Sequence, residues 1–257
     1  MKKWVISSVI GLAVLMTACG KTTSTSSKAK VSNEPSATKL LKQTEDAQTK
    51  KANVHMVYNS KVSSSEAGAV KIGMVSDINF KPAASLSAFS MKDGKDLTAY
   101  KIYVAGKKVY VAEDDEWYDA STSSSAAKTF SNMANIGKTN AMQNLSQKIL
   151  KRAQVTSDTN NYNIKIDLTD SEANEAVKAG ANLAAADLPN VQLSKLSVSQ
   201  LTYAYQIDKK SKLPKKLTVT GVEKYKDGSD VEKLKETISV IYSKWGQSPA
   251  LEPKLAD

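Results

Sequence analysis

One cysteine and one histidine among 257 residues exclude much familiar chemistry at the outset. No intramolecular disulfide can form, and neither a multi-histidine metal site nor a Cys–Cys redox pair can be assembled. No Gly-rich phosphate-binding loop occurs. His55 has no second imidazole to work with, and a Ser–His pair has no third member to name. Asp114, Asp115 and Glu116 are adjacent acids without the spaced oxygen ligands and glycine of an EF-hand. The Ser-x-x-Lys spacing of Ser125 to Lys128 recurs at Ser27 to Lys30 and at Ser36 to Lys39. It lacks the Lys-Thr-Gly and Ser-Asp-Asn partners that penicillin-recognising enzymes need. The residues therefore point to no catalytic group, no metal and no cofactor, and the expectation is a protein that is not an enzyme.

The chain does hold a globular composition, 41% hydrophobic and 24% charged, and an excess of base, 36 Lys and Arg against 26 Asp and Glu. That is too apolar for a wholly disordered chain and long enough for one large domain or two small ones.

The N-terminus reads as an address. Met1-Lys2-Lys3 is positively charged, and Val5 to Leu15 is an apolar run of signal-peptide length, too short to span a bilayer. It ends in Leu15-Met16-Thr17-Ala18-Cys19-Gly20, which resembles the lipobox of bacterial lipoproteins. The alternative is an ordinary secretory signal with a chance Cys. The lipobox reading makes residues 1–18 a cleaved signal and Cys19 the acylated N-terminus, since two acyl chains hold a protein at a membrane where one barely does. Residues 19–35 then form the lipidated Cys and a tether, rich in Ser, Thr and Lys and too polar to fold. The expected location is the cell membrane, lipid-anchored and facing the extracellular or cell-wall side. Export also removes the basic chain from nucleic acid.

Residues 36–257 read as a single domain. Leu40, Leu41, Thr44 and Ala47 make one stripe of a leading helix after Pro35-Ser36. From Asn53 the period changes to two: Val70, Ile72, Met74, Ile78 and Phe80 share one strand face, Lys71, Asp77 and Asn79 the other. Tyr100 to Val104, Val109 to Ala112 and Trp117-Tyr118 continue a meander. Two helices are expected between Ala120 and Gln154, then a strand at Tyr162 to Leu168. A capping box at Thr169 to Glu172 opens a helix through about Ala179. A second meander follows, with Leu201, Tyr203, Tyr205 and Ile207 alternating, then Leu217 to Tyr225 and Leu234 to Tyr242. The class is α+β: a curled antiparallel sheet of about nine strands wrapped round inserted helices.

The segments IYVAGKKVYVAEDDEWYD, LTYAYQIDKKSKLPKKLTVTG and ISVIYSKWGQSPALEP, with the lipobox, tether and leading helix, resemble an uncharacterised family of Gram-positive lipoproteins related to the LolA and LppX/LprG half-barrel proteins. The resemblance implies an open half-barrel and an apolar cavity that carries acyl chains. It carries no ligand-contact residue across by position.

On the residues alone, Met56, Ile72, Met74, Ile78, Phe80, Tyr100, Ile102, Tyr203 and Tyr205 are candidates to line such a cavity, and equally what any sheet packs beneath helices. Lys209, Lys210, Lys212, Lys215 and Lys216 are candidates for lipid headgroup or polyanion contact, or a solvated turn. Trp117-Tyr118 and Trp245 suit either lips of a cavity or packing over a turn. The leading expectation is a membrane-anchored binding module for a lipid or lipid-linked precursor. The alternative is a non-catalytic interaction or structural lipoprotein with a filled core that binds another envelope protein or an anionic wall polymer.

Overall fold

A computed structural model describes residues 34–64, 68–114, 116–121, 142, 145–184, 195–227, 230–247 and 251. Cys19 and the tether as far as Asn33, and most of the stretch expected to hold two helices, lie outside the described residues. The leading helix, α1 (Ala37–Gln48), starts where Ser36 in extended conformation accepts the Lys39 N–H at 3.3 Å. Such a cap satisfies one of the orphan donors of a first turn.

Eleven antiparallel strands follow: β1 (Asn53–Ser64), β2 (Gly68–Phe80), β3 (Ala83–Asp93), β4 (Asp96–Ala105), β5 (Lys108–Glu113), β6 (Glu116–Asp119), β7 (Gln154–Ser157), β8 (Asn161–Asp167), β9 (Leu196–Asp208), β10 (Pro214–Asp227) and β11 (Asp230–Ser243). The short α2 (Gln147–Leu150) precedes β7, and α3 (Asp170–Ala184) joins β8 to β9. The sheet order is β6-β5-β4-β3-β2-β1-β11-β10-β9-β8-β7. Two meanders thus meet where the first strand pairs the last, and the sheet stays open as a half-barrel with β6 and β7 as free edges. Both edges are four residues long, a length that blunts their pairing with other chains.

The count exceeds the expected nine for a physical reason. The inward row of β3 begins Ser85, Ser87, both buried, so its buried face is polar in the sequence and shows no apolar alternation. β7 carries one apolar residue, Val155. The capping box forms as expected: Thr169 N–H donates to Glu172 Oε2 at 3.0 Å, and Glu172 N–H to Thr169 Oγ1 at 3.4 Å. The helix it opens runs five residues beyond Ala179, to Ala184. No described helix is long and apolar enough to cross a membrane.

Alternation sets one inward row on each strand. On β9 that row changes parity, from Leu196 and Val198 to Leu201, Tyr203, Tyr205 and Ile207. Gln200, with φ of +53°, sits at the change, and the pairing with β10 shifts there between Thr220 and Val222. The extra residue is a bulge that keeps both halves of the row facing the helices. The main core joins the inward rows of β1, β2 and β8 to β11 with Leu40 and Leu41 of α1, Ile149 and Leu150 of α2, and Ala173 and Val177 of α3. A second, smaller cluster lies toward the β6 edge: Ile102, Val104, Val109 and Val111, with Phe89, Tyr100 and Ala120 against it.

Strand register defines two ends. The proximal end holds Glu34, whose Oε1 accepts from Ser157 Oγ at 2.7 Å, and the β9–β10 turn. The distal end holds the β1–β2, β3–β4 and β10–β11 connections. Strands of 13 or 14 residues make the sheet about 45 Å long between them.

Candidate functional site

Side chains on the concave face follow rows across the strands. One row reads Met56, Ser76, Ser87, Ile102, Val111, Tyr118 from β1 to β6. Its middle is polar: Ser76 Oγ and Ser87 Oγ lie 2.8 Å apart in a buried hydrogen bond. This serine seam separates the two apolar clusters and explains why they are two.

The nine candidate lining residues divide accordingly. Met56, Met74, Ile78, Tyr203 and Tyr205 lie at 0–3% exposure inside the main core. Burial drives the hydroxyl pKa values of Tyr203 and Tyr205 upward, Tyr205 also through the nearby Tyr242. Ile72 and Phe80 are only partly buried at its margin. Ile102 and Tyr100 belong to the second cluster.

Around Tyr100 the concave face stays open. Phe89 and Tyr100 stack at 4.7 Å between centroids, and Phe89 pairs Met74 on one side and Tyr100 on the other. One step toward the distal end, Met91 is 36% exposed and pairs Ile72. Tyr118, on the free edge, is 50% exposed. Tyr100 is held above its usual pKa by burial first and by Tyr118 second, so the two phenols are close enough to feel one another. Ile72, Phe89, Met91 and Tyr100 therefore form an open apolar strip on the concave face; toward the β6 edge the exposed Glu113 and Glu116 follow, with Tyr118 one row nearer the proximal end. Phe89 and Met91 were not legible in the sequence, since they sit on the serine-faced strand. Tyr118, expected as a lip or as turn packing, is on the concave side and open, whereas its neighbour Trp117 faces the convex side.

A buried acidic pair was also missed. Glu236 is 1% and Glu223 0% exposed, on adjacent strands and on the concave face. Ser60 Oγ donates to Glu236 Oε1 at 2.8 Å, and the hydroxyl pKa of Tyr58 is raised by burial and then by the Glu236 charge. The signal was available: both glutamates fall at the inward parity of otherwise apolar rows. Among the described residues no three His, Cys, Asp or Glu gather as a metal site.

The lysines of the β9–β10 turn lie at the proximal end, away from the strip. Lys209 Nζ donates to Ser157 Oγ at 2.9 Å, and Lys209 and Lys212 approach the Tyr162 ring at 5.3 and 4.6 Å. Lys215 pairs Asp208 at 3.2 Å, while Lys210 and Lys216 are exposed. Three of the five candidates are thus engaged with side chains of β7, β8 and the end of β9. Trp245, at the same end, packs on Tyr242 and Phe80 and donates to the Pro214 carbonyl at 3.2 Å.

Residues 22–248 match the model of a family of unknown function, DUF6612, and the chain belongs to that family. No curated protein matches it by sequence. Solved structures similar to it include LprF from Mycobacterium bovis, 11% identical, covering 86% of this chain and 97% of that one at a TM-score of 0.46. Another is the LolA superfamily protein NE2245 from Nitrosomonas europaea, 7% identical, covering 85% and 96% at a TM-score of 0.28. At such scores residue roles do not transfer from either.

Proposed function

We propose that the chain is a lipid-anchored, outward-facing envelope protein that binds the acyl portion of a lipid or lipid-linked precursor on the open part of its concave face, without catalysis. The observation that carries this is the open strip itself. The main core of the concave face packs against α1, α2 and α3, but Ile72, Phe89, Met91, Tyr100 and Tyr118 keep apolar surface within reach of solvent. A hydrocarbon chain laid there leaves water at about 0.8 kcal/mol per methylene. The thioether of Met91 adapts to a flexible tail, and the hydroxyls of Tyr100 and Tyr118 suit the polar end of an amphiphile. Cys19 would hold the module near its lipid source, and the proposal needs no energy input.

The test is native mass spectrometry with organic extraction of the chain from Gly20 onward, which contains every described element, followed by titration with a fluorescent fatty acyl probe. A co-purifying lipid or probe uptake is expected, with Met91→Lys and Phe89→Ser each weakening uptake about tenfold, the equivalent of about 1.4 kcal/mol. An empty protein that takes up no probe would overturn the reading. It would favour the second one, an interaction protein with a filled core, which the full burial of Met56, Met74, Ile78, Tyr203 and Tyr205 supports.

A further inference from the structure

The convex side of the distal end is unusually basic, and its lysines are arranged against the interest of stability. Lys61 stands directly opposite Lys71, which stands directly opposite Lys92, so three neighbouring strands place like charges side by side. Two strands further along the sheet Lys224 faces Lys233 in the same manner, with Lys235 next on the same strand. All six side chains are exposed. Like charges directly opposite on a sheet destabilise it, and a hydrophilic neutral residue such as Thr would serve solubility without that cost. Among the described residues, the outward strand positions of this region, from β4 across to β9, hold Lys, Ser, Thr, Ala, Val, Asn, Gly and Leu and no carboxylate. None of the six lysines takes part in an ion pair among the described residues.

Two exposed apolar side chains share the surface. Leu97 is 67% exposed and directly opposite Lys92; Val231 is 53% exposed and directly opposite Lys226. They stand near two hairpin tips roughly 20 Å apart along the sheet, at about 4.8 Å per strand. A soluble polyanion rewards lysines alone. A bilayer rewards lysines at its phosphates and, in addition, apolar side chains between its headgroups.

We propose that the distal convex face docks on an anionic phospholipid bilayer, with the lysine rows on the phosphates and Leu97 and Val231 among the headgroups. It deepens the acyl-chain reading and rests on it in one respect, because docking would hold the binding module at the bilayer that supplies its ligand, with the concave face turned toward solvent. The 14 residues between Cys19 and Glu34 extend to about 46 Å, so a Cys19 anchor permits the distal end to meet the same membrane although the described chain begins at the proximal end.

The experiment is cosedimentation of the chain from Gly20 onward with vesicles of phosphatidylglycerol and phosphatidylcholine, or of phosphatidylcholine alone, at several salt concentrations. The parent is expected to bind the anionic vesicles only, more weakly as salt rises. The double change Lys71→Thr with Lys224→Thr is expected to weaken binding about 10- to 30-fold, with a thermal midpoint equal to or above the parent's because three like-charge contacts are relieved. Leu97→Ser with Val231→Ser is expected to weaken binding at every salt concentration. Equal binding of the lysine variant and the parent overturns the proposal, as does equal binding to uncharged vesicles. Unchanged binding of the Leu97 and Val231 variant, with tight binding of the parent to inorganic polyphosphate, overturns it in favour of a soluble polyanion. Acyl-probe uptake, measured without vesicles on the same proteins, separates the two readings: docking without uptake refutes the acyl-chain site, and uptake without docking refutes the docking face.

Discussion

Replacing Asn174 should loosen α3 from the sheet by an amount that can be worked out. β8 ends at Asp167, so among the described residues no strand pairs β9 on that side from Leu201 back to Leu196. Leu168 N–H still reaches the Leu201 carbonyl at 2.9 Å, and then the chain turns into α3. Asn174, one turn into that helix, returns its amide to the vacated edge: Val198 N–H donates to Asn174 Oδ1 at 2.9 Å, and Asn174 Nδ2 donates to the Val198 carbonyl at 2.9 Å. One side chain thus takes the place of the missing strand. Asn174→Ala leaves two partly buried backbone groups without these partners, at about 1–2 kcal/mol each, or roughly 2–4 kcal/mol together. For a protein of this size that lowers the midpoint of thermal unfolding by about 5–15 °C. Asn174→Asp sharpens the test. At neutral pH its carboxylate still accepts from Val198 N–H but turns a second oxygen toward the Val198 carbonyl, and the loss should match or exceed that of Ala. This environment favours the neutral acid, so the folded-state pKa lies above the unfolded value near 3.9. The deficit relative to the parent is therefore full above the folded pKa and shrinks as pH falls toward the unfolded one. Urea unfolding at pH 7 and at about pH 4 measures both. An Asn174→Ala protein within about 0.5 kcal/mol of the parent at pH 7 would refute the reasoning.

Three further outcomes are expected. Gln200→Gly should stabilise by about 1 kcal/mol in urea unfolding, because its φ of +53° is strained for a side chain and its own side chain is exposed; a loss of stability would mean that the side chain holds the bulge. Asp208 is drawn down to about 2, chiefly by the Ser211 backbone N–H and then by the Ser211 hydroxyl and Lys215, against the opposing effect of burial. A depressed carboxylate contributes stability above its unfolded pKa that is lost as pH falls through the folded one. Asp208→Asn should accordingly flatten the pH dependence of unfolding between about pH 4 and pH 2, and an unchanged profile would count against it. Glu172→Ala, which removes both the capping-box acceptor and the partner of Arg152, should cost about 1 kcal/mol, with helix content by circular dichroism as the companion reading.

The sequence reveals those parts of the fold in which one face is consistently apolar. α1, the β2 row from Val70 to Phe80 and the β9 row from Leu201 to Ile207 were all legible on that ground, and the capping box announced α3 by chemistry rather than by pattern. β3 was hidden because its buried row opens with Ser85 and Ser87, whose partner Ser76 lies on another strand; burial of a hydroxyl depends on a neighbour that no local window contains. The strip inherits the same blindness, since Phe89 and Met91 continue that row. The convex lysines stood in plain view as separate residues, but their opposition across strands is a property of register. The turn lysines from Lys209 to Lys216 drew notice through clustering along the chain, whereas their contacts with Ser157, Tyr162 and Asp208 engage three of them with the neighbouring strands.

The pairing of β1 with β11 also governs the order of events during folding. His55 pairs Ser243 and Ser64 pairs Leu234, so the central seam of the sheet closes a loop of nearly the whole described chain. Each meander can form from neighbouring segments as it appears, but their union waits for the final strand, and contacts of such long sequence separation are the slow ones. Until then β1 offers an unpaired edge of twelve residues and β10 one of fourteen, both long templates for mispairing. A nascent chain of this design is best kept extended until its last strand is available, and a truncation that removes β11 would leave two half-sheets with no centre.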